Sequence, residues 1–415
     1  MNGQGKRALV PKLRFPEFRD AEGWEEKTVG DVFKVTRGEV LSMTLVIDER
    51  TDETPYPVFS SQTKNSGLAG FYSNFLYEDA ITWTTDGANA GDVNFRKGRF
   101  YCTNVCGVLI NEDGNANPCI AALINSVSKN YVSYVGNPKL MNGVMSKISI
   151  PFPAVEEQQK IADCLSSVDE LIAAQAGKLD ALKIHKKGLM QQLFPREGET
   201  QPRMRFPEFQ NGGEWVQGGL GSKASKVGSG ITPTGGDKNY KQSGRPFVRS
   251  QNVSWGDLLL EEIAFIDEET HASFGATEIK AFDVLLNITG ASIGRSAVAD
   301  ERIVGGNVNQ HVCIIRVKAA ELNPIYLNQY LISPKGQKQI DSFQAGGNRQ
   351  GLNFAQIRSF SIPLPPKVSE QQRIADCLSS LDDLITAQTQ KLQALKTHKK
   401  GLMQQLFPSA EVLEA

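Results

Sequence analysis

Between Glu157 and Phe194 the apolar positions recur in alternating steps of four and three, the spacing that keeps one stripe of a helix turned toward a partner helix. The stripe runs Ile161, Leu165, Val168, Ile172, Gln175, Leu179, Leu182, Lys186, Leu189, Leu193. It returns as Ile374, Leu378, Leu381, Ile385, Gln388, Leu392, Leu395, Lys399, Leu402, Leu406, with both polar interruptions in the same places. No proline breaks either stretch, so each predicts one helix of about 37 residues, or roughly 55 Å at 1.5 Å per residue. Acidic residues crowd the first half (Glu156, Glu157, Asp163, Asp169, Glu170) and lysines the second (Lys178, Lys183, Lys186, Lys187). Antiparallel packing would set opposite charges side by side and suit both helix dipoles. It would also bring Gln175 against Gln388 as a central polar layer that sets register.

The two helices are copies of one another. Residues 157–195 and 370–408 share about 31 of 39 aligned positions. A second repeated box precedes each copy: PKLRFPEF from Pro11 with Trp24 beyond it, and PRMRFPEF from Pro202 with Trp215 beyond it. Asn117-Pro118 and Asn323-Pro324 each predict a helix start, an N-cap followed by proline. KISIPFP (147–153) and SFSIPLPP (359–366) close the two regions alike. The segments between these landmarks hardly repeat, which suits one scaffold presenting two different surfaces. The expected fold class is α+β, with two globular α/β domains separated by two long antiparallel coiled-coil helices. The expected boundaries are 1–154, 155–195 (first spacer helix), 196–367, 368–408 (second spacer helix) and a tail, 409–415.

Composition narrows the class. With 415 residues and 40% apolar content, two cores of ordinary size are affordable. No apolar run reaches the roughly 18 residues of a membrane span, and no apolar stretch follows the charged start, so no membrane contact and a cytoplasmic location are expected. The six cysteines lack C-x-x-C spacing and read as free thiols; Cys102, Cys106 and Cys119 are expected as buried strand cysteines rather than metal ligands. A formal net charge of only -1 means that any phosphate-binding face is local or completed by a partner.

The order of variable globule, repeated helix, variable globule, repeated helix resembles the specificity subunit of type I restriction-modification systems. The resemblance rests on the R-F-P-E-F boxes at Arg14 and Arg205, the strand-proline endings at Pro151 and Pro363, and the E-Q-Q-x-I-A-D-C-L helices, and it covers essentially the whole chain. It implies two target-recognition domains, each reading one half of a split double-stranded DNA sequence, with the helices fixing the gap. It also implies two methyltransferase subunits carrying S-adenosylmethionine and two motor-nuclease subunits using ATP and magnesium. This chain would then bind no cofactor and perform no chemistry of its own.

Base reading needs donors and acceptors on loops, arginine for guanine and asparagine or glutamine for adenine. The first half offers Ser61, Gln62, Lys64 and Asn65, then Thr85, Asp86 and Asn89, then Lys139. The second offers Arg249, Ser250, Gln251 and Asn252, then Thr289, Ser292 and Arg295, then Asn348, Arg349 and Gln350. Such Gly/Asn/Ser loops are also ordinary turns. Catalytic signatures are missing: no phosphate loop, no H-E-x-x-H, no G-x-S-x-G, and no Asn-Pro-Pro-aromatic box. Of the four histidines, His185, His271, His311 and His398, the first and last fall at equivalent repeat positions on a basic helix face and read as solvated or partner-facing rather than catalytic. Two alternatives stay open: an adaptor whose globules bind proteins or glycans, and a metal-dependent nuclease built from scattered carboxylates.

Overall fold

The computed structural model describes residues 9–61, 64–344 and 351–408. The chain forms two compact units: unit 1 holds Met1–Ala176 and Lys391–Ala415, unit 2 holds Gly177–Gln390. Both cuts fall inside the long helices, Val155–Leu193 and Val368–Leu406, whereas the sequence suggests boundaries at the helix ends. The reason is that helix ends complete the globular cores. In unit 1, Ile161 and Leu165 of the first helix and Leu406 of the second, with Phe407, share a cluster with Trp24, Phe33, Trp83, Ile120 and Leu140. In unit 2 the helices exchange roles: Ile374 and Leu378 of the second and Met190 and Leu193 of the first, with Phe194, join Trp215, Tyr326 and Phe360. Each such buried side chain contributes roughly 1.5–3 kcal/mol, so like sockets require like helix ends.

Every stripe position named above is buried or half-buried, as the four-three spacing predicts. Direction follows from contacts within each unit. In unit 1 the Leu13 N–H donates to the Gln405 carbonyl at 2.9 Å, beside Arg14 and Glu157, while Lys399 meets Asp169 at 2.6 Å. Rising numbers on one helix meet falling numbers on the other, so the paired segments are antiparallel. Unit 2 repeats this with the Met204 N–H on the Gln192 carbonyl at 3.0 Å and Lys186 on Asp382 at 2.5 Å. The two polar interruptions that are lysines are thus answered by aspartates. Gln175 is buried near the end of the unit 1 segment, and Gln388 is half-buried in unit 2.

The repeated motifs find one another. Arg14 Nε and Nη2 donate to the two oxygens of Glu157 at 2.8 and 2.7 Å, and Nη1 and Nη2 also reach the carbonyls of Ala21 and Glu22. The Trp24 indole N–H adds a third donor to Glu157 at 3.1 Å. Glu157 is 1% exposed, and its hydrogen bonds to Arg14 raise the arginine's pKa despite burial. Gln158, the next residue, joins the Asn117 side chain at 2.7 Å, and Asn117 caps the helix Pro118–Ser128 by accepting from the Ile120 N–H. Unit 2 pairs Arg205 with Glu370 at 2.7 and 2.8 Å, and Gln371 accepts from the N–H of Asn323, the cap of Pro324–Ile332. Trp215 differs from Trp24, because its buried indole N–H has no partner among the described residues.

Unit 1 carries a six-stranded sheet in the order Lys34–Arg37, Cys106–Ile110, Tyr77–Thr84, Val93–Cys102, Tyr56–Phe59, Leu68–Tyr72. All neighbours are antiparallel except Tyr56–Phe59, which lies parallel to Val93–Cys102. Where unit 1 has the long strand Val93–Cys102, unit 2 has two short ones, Ser296–Val298 and Asn307–Val308, and its sheet splits in two. The four-stranded part is Ala224–Ser229, Val312–Val317, Val284–Asn287, Ser296–Val298; the three-stranded part is Ala264–Ile266, Arg245–Val248, Asn307–Val308. The two strand-proline endings, Ser149–Phe152 and Ser361–Leu364, pair with Glu25–Thr28 and Val216–Gly219 beside the long helices.

Cys102, Cys106 and Cys313 are buried in strands, but Cys119 is buried in the helix Pro118–Ser128, which corrects the strand expectation: the Asn117 cap starts the helix just before it. Among the described residues no helix is long and apolar enough to cross a membrane. Removing one partner of a buried ion pair strands the other charge. Glu157→Ala is expected to destabilise unit 1 by roughly 3–5 kcal/mol. Glu370→Ala should cost less, since Trp215 does not donate to that carboxylate. Denaturant unfolding of the full chain checks both; equal losses would contradict the tryptophan's role.

Candidate nucleic-acid interface

One end of the unit 1 sheet gathers the loops that carry the sequence candidates. Because Tyr56–Phe59 and Val93–Cys102 run parallel, they finish together, and the Thr103 N–H donates to the Phe59 carbonyl at 2.9 Å. The Gly38 N–H reaches the Cys106 carbonyl, the Thr85 N–H the Val105 carbonyl, and the Leu140 N–H the Thr85 carbonyl, each near 3 Å. Residues 37–40, 60–61, 64–67, 85–91, 103–105 and 133–141 therefore share an edge. Gly38 is required by this crowding, since a Cβ there would lie 2.2 Å from the Cys102 carbonyl oxygen.

Within that edge the candidates differ. Thr85 is fully buried, its hydroxyl spent on Asp86 and the Val105 carbonyl; it shapes the loop and offers nothing to a base, which corrects its assignment. Asp86 is half-buried and faces Lys139 at 3.7 Å, so this pair partly neutralises itself. Ser61 and Asn89 are half-buried and Asn65 is exposed with left-handed backbone, φ 50°. Lys64 opens the turn Lys64–Gly67, and Gln62 lies outside the described residues. Sequence reasoning missed Tyr134 and Val135, which stand 68% and 93% exposed on the same edge; apolar side chains there suit contact with a thymine methyl. No sequence signal marks them beyond an apolar pair inside a loop.

Unit 2 builds the same edge from different residues. The Asn309 N–H donates to the Val248 carbonyl, the Gly230 N–H to Asn309, the Ile288 N–H to His311, and the Leu352 N–H to Ile288. Asn252 is 1% exposed and bonds the Arg249 N–H and the Leu259 carbonyl; like Thr85 it is a scaffold residue, and its assignment is corrected. Ser250, Ser292 and Thr289 are half-buried and Gln251 is exposed. Thr289 meets His311 Nδ1 at 2.6 Å, and Gln310 Nε2 meets His311 Nε2 at 3.0 Å. With that amide donating, the imidazole proton sits on Nδ1, and the Thr289 hydroxyl is left to donate elsewhere. Asn348, Arg349 and Gln350 lie outside the described residues. His271 bonds Asn307, away from this edge, and His185 and His398 are exposed.

Electrostatics separate the arginines. Those at the domain frame have carboxylates: Arg14, Arg205, Arg245 and Arg316 pair with Glu157, Glu370, Glu268 and Asp283. Arg249 donates to the Glu262 carbonyl and stacks 5.3 Å from the Tyr240 ring, with a buried Nε that has no partner among the described residues. Arg295 Nε is likewise buried without one. Arg96, also missed from sequence, donates to Thr82 Oγ1 and the Ser66 carbonyl. None of these three has a carboxylate partner among the described residues. Positive charge left uncompensated at the edge of a unit, Arg96 in unit 1 and Arg249 and Arg295 in unit 2, is what a phosphate or a guanine edge requires. Among the described residues no group of three or more His, Cys, Asp or Glu is placed to hold a metal.

Comparisons with known proteins agree with this plan. Residues 21–183 and 229–397 match the family model described as type I restriction modification DNA specificity domain. The type I restriction enzyme MjaVIII specificity subunit of Methanocaldococcus jannaschii is 24% identical over 415 residues, covering 94% of this chain and 93% of that one. The type I restriction-modification S subunit from M. genitalium superposes with a TM-score of 0.67 at 16% identity, over 97% of this chain and all of that chain. A chain from a study of complex assembly and conformational transition of the type I R-M system gives 0.55 at 15% identity, over 93% and 98%. With most of both globules and of both spacer helices inside the matched segments, the chain belongs to the type I restriction modification DNA specificity family.

Proposed function

We propose that each globular domain reads one half of a bipartite duplex DNA target and that the chain supplies the address for enzymes carried by partner subunits. The observation that carries this reading is that the two sheet ends share a backbone pattern and differ in side chains. Asp86 bridges Lys139 where Thr289 bridges Gly351, and Arg249 and Arg295 appear only in the second. One scaffold with two chemistries suits two different half-sites.

The long helices act as the spacer and as docking surface. Near-identical sequence on both offers one surface twice, which suits two copies of one methyltransferase subunit, with S-adenosylmethionine bound there. Two motor-nuclease subunits using ATP and magnesium complete the assembly in this reading. The formal net charge of -1 fits such a division, because partners then supply part of the cationic surface that holds the duplex.

Two exchanges test it. Replacing residues 20–150 by the first domain of another family member should change one half of the methylated motif and leave the other intact; altered halves on both sides would rule out modular reading. Adding seven residues at the middle of both long helices should lengthen the gap between halves, since a heptad adds about 10 Å of rise. An unchanged gap would refute the spacer role.

A further inference from the structure

The recognition edge of unit 1 contains a polar recess of about 320 Å³ to which the sequence candidates contribute Asn89 alone. Ser60, Ser66, Thr84, Asn89, Asn94 and Asn125 line it, and Arg96 forms part of its wall. Strand alternation places Arg96 on the face opposite Val93 and Phe95, which turn to the main core. Its guanidinium is held on three sides: Nε donates to Thr82 Oγ1 at 3.0 Å, Nη2 to the Ser66 carbonyl at 2.8 Å, and the Phe59 ring centroid lies 3.7 Å away. Such a grip fixes the group but leaves its charge uncompensated. Among the described residues the one carboxylate lining the recess, Asp92, is engaged by Lys129 at 2.8 Å.

We propose that the Arg96 recess binds a phosphoryl group, which in the working complex is a backbone phosphate of the DNA passing the first domain. A half-buried cation without an anion is costly, and burial pushes the Arg96 pKa down to about 10. An incoming phosphoryl group restores the missing counter-charge, while the serine, threonine and asparagine side chains supply neutral donors around it. Ser60, Ser66 and Asn89 of its lining belong to the recognition loops, so a phosphate held there stays continuous with a duplex on that edge. Sheet register puts Ala299 of unit 2 at the position of Arg96, so this site belongs to the first domain alone. The DNA source of the phosphate rests on the reading proposed above; the recess itself does not.

The test uses the full chain with Arg96→Gln and Asn89→Asp, and with Lys97→Gln as an exposed control of equal charge change. Affinity for a mixed-sequence DNA duplex is measured against salt, and inorganic pyrophosphate is titrated calorimetrically in parallel. The expected result is that Arg96→Gln lowers the slope of log K against log salt by about 0.9, the value for one phosphate contact. Lys97→Gln should leave the slope unchanged, and both recess variants should lose pyrophosphate binding. Pyrophosphate binding lost with the slope unchanged would keep the recess and make a free phosphorylated ligand its occupant. An equal slope change in Lys97→Gln, or pyrophosphate binding that ignores both recess variants, would overturn the proposal. Asn89→Asp keeps the test decisive if Arg96→Gln does not fold, and absent DNA binding by the wild type would count against the DNA reading, not the recess.

Discussion

A buried arginine–glutamate pair fastens each globular domain to a spacer helix, Arg14 to Glu157 and Arg205 to Glu370. Apolar packing alone leaves a domain free to settle in several orientations on a helix, whereas a two-pronged guanidinium–carboxylate contact has one geometry. Burial makes that choice expensive to abandon, because either charge alone in the core would be strongly unfavourable. The adjoining glutamines extend the lock: Gln158 holds the Asn117 cap and Gln371 the Asn323 backbone. A protein that reads two separated stretches of DNA depends on such fixity, since a domain that swivels on its helix loses its register with the bases.

The same lock explains why the repeats are where they are. Box, helix start and helix end are distant in sequence but meet around one carboxylate in each unit. Unit 1 also draws Leu406 and Phe407 from the far end of the chain into its core, so that core closes only when the last helix is in place. Side chains outside this frame vary: Asp86 corresponds to Thr289, and Arg96 to Ala299. Frame residues answer to packing and hydrogen bonding, edge residues to whatever they touch outside the protein.

Much of this frame was legible in the sequence. The four-three spacing located both long helices, and Asn-Pro marked two helix starts, because these are local rules. The acidic and basic halves predicted opposite charges side by side, and Asp169 meets Lys399 while Asp382 meets Lys186. Local rules did not show that Arg14 seeks Glu157 across more than a hundred residues, nor that the compact units divide the helices at their middles. At the recognition edge, composition drew attention to the loops that carry Arg249 and Arg295, but it did not show that Thr85 and Asn252 are buried scaffold. Arg96 escaped notice because it lies in a strand, where a charge opposite an apolar face looks like ordinary alternation.

The central claim is that two rigidly held edges read two separate DNA segments. The most direct measurement is to express this chain with the proposed methyltransferase partner in a host lacking adenine methylation and map modified adenines across the genome. A single motif in two parts with a constant gap is the predicted result. A contiguous motif, or no methylation despite an assembled complex, would contradict it.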